Sequence, residues 1–540
     1  MLVSRFWKSR SGNFAMMFAI ALPAVLAGVG LALDISSLMT ARSKLQNALD
    51  SAVLAASRLA DASISRDDAF QGFFKANIAN GRDLLSPVAY LTVEQGTNYI
   101  KTSATAHATV ALNLGFVFGQ SAQVAVASSA YQSTAKLEVA LVLDNTGSMG
   151  DSNMKALREG ATSLITTLQD AKKEQPAREI RAALVPFVTA VNINGEGFKT
   201  SWVDLRKTFP TSDPGLNGRN FDVITSNNVR VGHAKLFDDL GVKWKGCVEA
   251  RAVKFKSNNT IDLSASPGLD DTAPDQLRPE TLFVPYFAPD EHGDPYKARN
   301  EDLSNYNNSY LKDLASGTGK TDAEKHRSIQ MNLSKYTLTN KSTAIINEVA
   351  PLTSGPNYAC PTPIMPLTSD LDKLKAEVSK MTYWNGSGTN VSEGLVWGYR
   401  VLSPGEPYAQ GDDFNSDGTS KAVVVFTDGE NNVFGQKTAL INKSDYGSYN
   451  YLDQGRMGST DRNQALKNVN TMTQTVCTTL KAKGVRVFTV VLGADTAANR
   501  ELYSNCASAP TDYYPTKDQA QLKAAFRNIA FAISQLYVTN

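Results

Sequence analysis

The chain has 540 residues, 42% of them apolar, with 54 basic against 52 acidic side chains and a net charge of +2. That length exceeds one compact core and predicts about two to four units, while near-cancelling charge excludes nucleic acid or an acidic surface as a partner on bulk electrostatic grounds. The four histidines, His107, His233, His292 and His326, have no metal-ligand spacing, which excludes a zinc centre built on them.

Residues 1–13 carry Arg5, Lys8 and Arg10 and no acid. Residues 14–33 then run without a charge, long enough to cross a hydrocarbon core of about 30 Å as a helix. Positive charge before the span and Asp34 after it place residues 1–13 in the cytoplasm and everything downstream outside. The run is longer than a signal-peptide core, so a retained anchor is expected rather than a cleaved leader. From Ile35 through Leu38, Ala41, Leu45, Ala48, Leu49, Ala52, Val53 and Ala56 apolar residues recur at helical spacing and continue the helix beyond the bilayer. This Ala-rich stripe suits close packing on another helix or on its own domain.

Gly12-Asn-Phe-Ala-Met-Met-Phe-Ala-Ile-Ala-Leu-Pro23, Ala32-Leu-Asp34 and Leu45-Gln-Asn-Ala-Leu-Asp50-Ser-Ala-Val-Leu-Ala-Ala56 resemble the N-terminal region of the TadE/TadG-like proteins of bacterial tight-adherence (Flp) pilus machinery. A prepilin-like peptidase site would want Glu five residues after Gly12, where Met17 stands, so no such cleavage is expected and the TadG-like branch fits. The rest of the 34–135 region reads as a stalk: a short helix near Asp67 to Ala79, then period-two alternation from Tyr90 to Tyr131 that predicts a small antiparallel sheet.

The densest signal follows. Leu137-Glu-Val-Ala-Leu-Val-Leu-Asp144-Asn-Thr146-Gly-Ser148-Met-Gly150 is a buried-strand run that ends in Asp-x-Thr-x-Ser and opens a helix predicted over Asn153 to Lys172. Oxygen-bearing side chains thus gather at the carboxyl end of a strand, where open α/β sheets bind ligands. One carboxylate and two hydroxyls, without nitrogen or sulfur, suit a hard cation such as Mg²⁺, which keeps waters and stays electrophilic among neutral ligands. Strand Ile180 to Phe187 follows, and then regular alternation is lost: residues 194–371, rich in Asn, Asp, Pro, Gly and Ser, are too long for a loop and read as an insertion subdomain. The TadG-like resemblance continues in it at Gly246-Cys247-Val-Glu249-Ala-Arg251 and Leu282-Phe-Val-Pro-Tyr-Phe-Ala-Pro-Asp290-Glu291. Next come a Gly-rich loop, Gly386-Ser-Gly388-Thr389-Asn390, which opens a helical pattern, and a second buried strand, Lys421-Ala-Val-Val-Val-Phe-Thr427-Asp428-Gly429-Glu430.

Asp-x-Thr-x-Ser, a later Gly-Thr and a strand ending Thr-Asp-Gly, in that order, resemble the von Willebrand factor type A domain. The resemblance implies a doubly wound, Rossmann-like α/β fold over 136–540, interrupted by the insertion, and a metal-ion-dependent adhesion site. Its metal positions fall on Asp144, Thr146, Ser148, Thr389 and Asp428, with Mg²⁺ or another divalent cation as the bound ion. The family usually has Ser where Thr146 stands; the hydroxyl is kept.

Two motifs invite misreading. Ala315-Ser-Gly-Thr-Gly-Lys-Thr321 mimics a phosphate loop but has Leu314 at the earlier Gly position and no preceding strand. Asp413-Phe-Asn415-Ser-Asp417-Gly418 matches half of an EF-hand loop, yet its twelfth position is Val424, inside a core strand. Tyr446, Tyr449 and Tyr451, in the polar stretch after Asp428, suit a contact surface or an ordinary surface loop. The sheet resumes with helix Gln464 to Lys483, a strand over 484–493, helix Ala498 to Ser504, a short strand at Tyr513 and a final helix Gln519 to Leu536. Four cysteines without Cys-x-x-Cys allow two disulfides in an exported chain; the expected pairs are Cys477 with Cys506, flanking one strand, and Cys247 with Cys360, within the insertion.

Taken together these features predict an α/β chain with a transmembrane helix, a small α+β stalk and a type A domain, a single-pass protein of the bacterial inner membrane with its bulk periplasmic or at the cell surface. The expected function is that of an outward-facing adhesion or assembly component of a Flp (Tad) pilus system, gripping a carboxylate on a protein partner, such as a pilus or Tad-system component, through the metal. A tethered scaffold with an empty site is the alternative. A metal-dependent hydrolase fits less well, because a haloacid-dehalogenase-type phosphatase needs an acid where Thr146 stands and Ser148 lacks the first Gly of Gly-x-Ser-x-Gly; no enzyme is expected.

Overall fold

A computed structural model describes residues 10–57, 65–78, 84–96, 99–113, 120–176, 178–224, 226–258, 260–291, 308–340, 354–386, 388–433, 442–493 and 496–534. The chain divides into two compact units, residues 1–135 with 172–178, and residues 136–171 with 179–540.

In the first unit one helix, α1 (Arg10–Ser57), contains both the apolar run and the stripe after it. From Met16 it is long and apolar enough to cross a membrane, with a mean hydropathy of 2.3 over its most apolar window, and there its large side chains are exposed, Met17 at 71% and Ile20 at 75%. Its C-terminal half is different. Ala41, Leu45, Ala48, Leu49, Ala52 and Val53 are buried, so the Ala-rich stripe packs on its own unit. The cover is a three-stranded antiparallel sheet, β1 (Leu85–Gln95), β2 (Tyr99–Ala111) and β3 (Ser121–Ser133), whose inward residues Ala104, Ala106, Ala108 and Val126 are small enough for close approach. Phe70 and Phe74 of α2 (Arg66–Ile78) complete this core. Asp34, buried at the end of the apolar run, accepts from the backbone N–H of Asn113 at 2.6 Å and from Asn113 Nδ2 at 3.0 Å.

The second unit is built on β4 (Lys136–Asp144), whose Val/Leu run is buried on both faces as a central parallel strand must be. Parallel neighbours flank it: β5 (Ile180–Phe187) on one side, and on the other β10 (Thr419–Thr427), then β12 (Arg486–Leu492) and β13 (Tyr513–Thr516). β8 (Met365–Thr368) pairs antiparallel with β5, Met365 opposite Leu184. Alternate residues of β4 feed two cores. Val139, Leu141 and Leu143 pack beneath α3 (Gly150–Glu174), α6 (Leu371–Lys380) and α10 (Gln519–Ser534), while Ala140 and Val142 face α7 (Val391–Leu402) and α8 (Arg462–Ala482). This strand order with helices on both faces is the doubly wound von Willebrand type A fold.

The long segment between β5 and β8 is the insertion. It adds β6 (Val191–Asn192) and β7 (Cys247–Val248) to the sheet edge and carries the short helices α4 (His233–Leu240) and α5 (Asp322–Met331) around a small core of Phe221, Phe237, Phe287, Tyr310 and Tyr336. Met365–Thr368 belongs to the sheet although composition places it in the 194–371 range; a strand this short, containing Pro366, has too few positions to show a period of two. Cys247–Cys360 and Cys477–Cys506 are disulfides, with Cα–Cα separations of 5.7 and 5.1 Å, the second joining α8 to the end of α9 (Ala497–Cys506) around β12.

Two sequence features resolve locally. Thr321 caps α5 in a capping box with Glu324, which accounts for the Gly-Lys-Thr run without a phosphate. Tyr446, Tyr449 and Tyr451 form neither a contact surface nor a surface loop: they are 1%, 4% and 2% exposed. Tyr446 donates to the buried Glu249 and stacks edgewise on Tyr286 and Tyr451 at 4.9 and 5.1 Å, because the insertion covers this side of the sheet. Composition could not reveal that cover.

Candidate metal-binding site

β4 ends at Asp144 and the chain turns through Gly147–Met149 into α3, with Gly150 at φ +52° making the joint. The Asp144 carboxylate is fully buried and held from two sides: the Thr146 N–H donates to Oδ1 at 2.8 Å, and Thr427 Oγ1 donates to Oδ2 at 2.7 Å. Thr427 arrives there because β10 runs parallel to β4 with Phe426 beside Leu143, so the two strands end together. The next residue, Asp428, accepts from Ser148 Oγ at 2.8 Å, and Ser148 Oγ lies 3.0 Å from Thr146 Oγ1.

Thr389 comes from a third loop. β9 (Gly388–Thr389) pairs antiparallel with β11 (Asn432–Val433), Thr389 opposite Asn432, which ties its loop to the segment following Asp428. Asn431 Oδ1 accepts from the Val391 N–H at 2.8 Å at the start of α7, fixing the same pair of loops from below. Thr146, Ser148 and Thr389 line one cleft, with Asn385 and Asn432 on its walls. All five residues expected from the sequence therefore meet at one sheet edge, four in a hydrogen-bonded chain and Thr389 across the cleft.

Burial first, and repulsion from Asp428 second, push the Asp144 carboxyl up to about 7; burial likewise raises Asp428, against the lowering effect of the Ser148 hydroxyl. Among the described residues neither carboxylate forms an ion pair. Two acids and three hydroxyls that share no positive charge fit a hard cation, which would relieve both the desolvation and the repulsion. Among the described residues no group of three or more His, Cys, Asp or Glu side chains is gathered for a metal. Hydroxyls must therefore supply much of any coordination at this edge.

The sequence pattern missed Thr427, Asn431, Asn432 and Asn385. Thr427 was discoverable, because the ends of β4 and β10 pair in register; the asparagines become neighbours of the site only through loop geometry.

At the other end of the chain, residues 12–62 match the family described as "Putative Flp pilus-assembly TadE/G-like". That segment is TadE/G-like. It is the part of α1 that holds both the apolar run and the Ala-rich stripe, followed by residues outside the described set. No curated protein matches the chain. Among solved structures, the von Willebrand factor domain of the type V pili tip protein Mfa5 from Porphyromonas gingivalis is 10% identical with a TM-score of 0.30, over 74% of this chain and 95% of that one. The pilus adhesin RrgA from Streptococcus pneumoniae is 12% identical with a TM-score of 0.31, over 82% of this chain and 49% of that one. The pilus adhesin SpaC from Lactobacillus rhamnosus GG is 11% identical with a TM-score of 0.30, over 83% of this chain and 34% of that one. The chain thus spans about a third of SpaC and half of RrgA. Similarity this low adds nothing to the fold assignment, which rests on the strand order.

Proposed function

We propose that the chain is a membrane-anchored, outward-facing adhesion or assembly component of a bacterial Flp (Tad) pilus system whose type A unit grips a carboxylate on a protein partner through a divalent cation, Mg²⁺ by the chemistry of the donors. The ion would be held by Asp144, Thr146, Ser148, Thr389 and Asp428. The observation that carries this reading is the contact of Ser148 with Asp428 beside Thr146, in the cleft that Thr389 closes.

Bound there, the cation would supply an electrophilic position for an anionic oxygen, because three of the five side chains that would hold it are neutral hydroxyls. The chain's own residues do the rest. Thr427 and the Thr146 N–H hold Asp144 in place, and Ser148 orients Asp428. Thr146 occupies the place of a phosphatase's second acid, so the reading is binding rather than catalysis. The TadE/G-like segment supports a pilus setting, its apolar helix a single crossing with residues 1–13 in the cytoplasm, and the two disulfides an oxidising compartment outside the inner membrane.

The test replaces the chromosomal copy with Asp144→Ala or Asp428→Ala variants that accumulate normally. Loss of attachment or of assembled pili is expected. Attachment and piliation equal to the parent would overturn the gripping mechanism.

A further inference from the structure

Gly147 sits between the two hydroxyl residues of the Asp-x-Thr-x-Ser turn, and its missing side chain has a spatial cause. A β-carbon there would stand 2.1 Å from Asn385 Oδ1 and 3.1 Å from Asn385 Cα and Cγ. The Asn385 amide therefore lies directly across the turn, with Oδ1 as its end nearest Gly147.

Its backbone is tied to the same place. The Trp384 N–H donates to Asn145 O at 2.8 Å, Asn145 Nδ2 donates to Thr382 O at 2.9 Å, and Trp384 bridges in parallel to Thr146. Asn385 is half-buried on the wall of the cleft that holds Thr146, Ser148 and Thr389. Among the described residues its amide makes no hydrogen bond. A primary amide thus stands beside the metal-binding hydroxyls with its N–H donors uncommitted.

A carboxylate that gives one oxygen to a cation keeps a second, partly desolvated oxygen that still needs a donor. We propose that Asn385 is that donor, a specificity-determining residue whose Nδ2 hydrogen-bonds the partner carboxylate's second oxygen and so favours a two-oxygen acid over a hydroxyl or water. The proposal rests on the cation-gripping reading and extends it from the ion to the ligand. Gly147 belongs to the same device, since any side chain there would push the amide out of the cleft.

The test uses the full-length chain in detergent micelles with Mn²⁺ as the metal and acetate as the carboxylate probe. Water-proton relaxation reports Mn²⁺ uptake, and its fall on titration reports displacement of metal-bound water by acetate. Asn385→Ala and the near-isosteric Asn385→Leu are expected to keep Mn²⁺ affinity within about twofold of the parent and to bind acetate about tenfold more weakly. Acetate binding as tight as the parent's in either variant would overturn the role of Asn385 and leave the metal site standing. Mn²⁺ affinity falling in step with acetate affinity would make the residue structural and also overturn it. A parent that takes up no Mn²⁺ would sink the gripping reading and this extension together.

Discussion

Ser148 Oγ and Asp428 Oδ1 lie 2.8 Å apart although 280 positions of sequence separate them. The contact exists because β4 and β10 are parallel neighbours that end at the same level, so the turn after one strand meets the acid after the other. If this pair is half of a cation site, Asp428→Asn should weaken Mn²⁺ binding at least 100-fold and Ser148→Ala about tenfold, as titration calorimetry would read. Removing a charged ligand costs more than removing a neutral one.

Metal binding should also appear as stability. A ligand present at 100 times its dissociation constant stabilises the folded state by about 2.7 kcal/mol. Mg²⁺ should therefore raise the melting temperature of the parent and EDTA reverse it, while Asp144→Ala should melt at one temperature in both. A parent indifferent to Mg²⁺, Mn²⁺ and EDTA would count against occupancy.

Gly386 gives a way to disturb the site without touching a ligand. Its φ is +100°, and a β-carbon would fall 1.6 Å from Tyr358 Oη. Gly386→Ala strains this backbone and forces apart the buried Tyr358 ring and the loop that carries Thr389, so Mn²⁺ affinity should fall about tenfold or more. Tyr358→Ala in the same chain should recover part of it. An unchanged affinity in Gly386→Ala would count against this loop as part of the metal site.

The opposite end of the sheet carries a pH signature. Burial alone would raise Asp412, but hydrogen bonds from Thr419, Arg181 and Lys136 overcome it and bring its carboxyl down to about 2 from 3.8. The unfolded chain therefore takes up this proton first as pH falls. The stabilisation is complete above about pH 4 and is lost towards about pH 2. Asp412→Asn should melt below the parent at about pH 5, and the gap should close by about pH 2. A constant gap across that range would refute the assignment.

Cys477 and Cys506 close a loop with a sequence separation of 29 around β12. Chain entropy assigns such a link about 3.5 kcal/mol. The double variant Cys477→Ala, Cys506→Ala should unfold at clearly lower denaturant than the parent. Because the pair lies in the core beside β12 rather than in the metal cleft, Mn²⁺ affinity in the folded protein should stay within about twofold.

Local physics made much of this chain legible from its residues. An apolar run followed by Asp34, the Val/Leu run into Asp144 and the run into Asp428 each state their element by composition and period alone. The chain order of three oxygen-bearing turns was enough to nominate Asp144, Thr146, Ser148, Thr389 and Asp428. Contacts among remote segments were another matter. Met365–Thr368 is too short to carry a period, Tyr446 and Tyr451 look like surface residues until the insertion covers them, and Asn385 earns its place only because Trp384 bridges to Thr146. A residue's type and spacing determine which element it joins and which atoms it can offer. Which of those atoms share a cleft was decided by the parallel pairing of β4 with β10 and by loops locked against them, since strand register sets distances that no linear interval encodes.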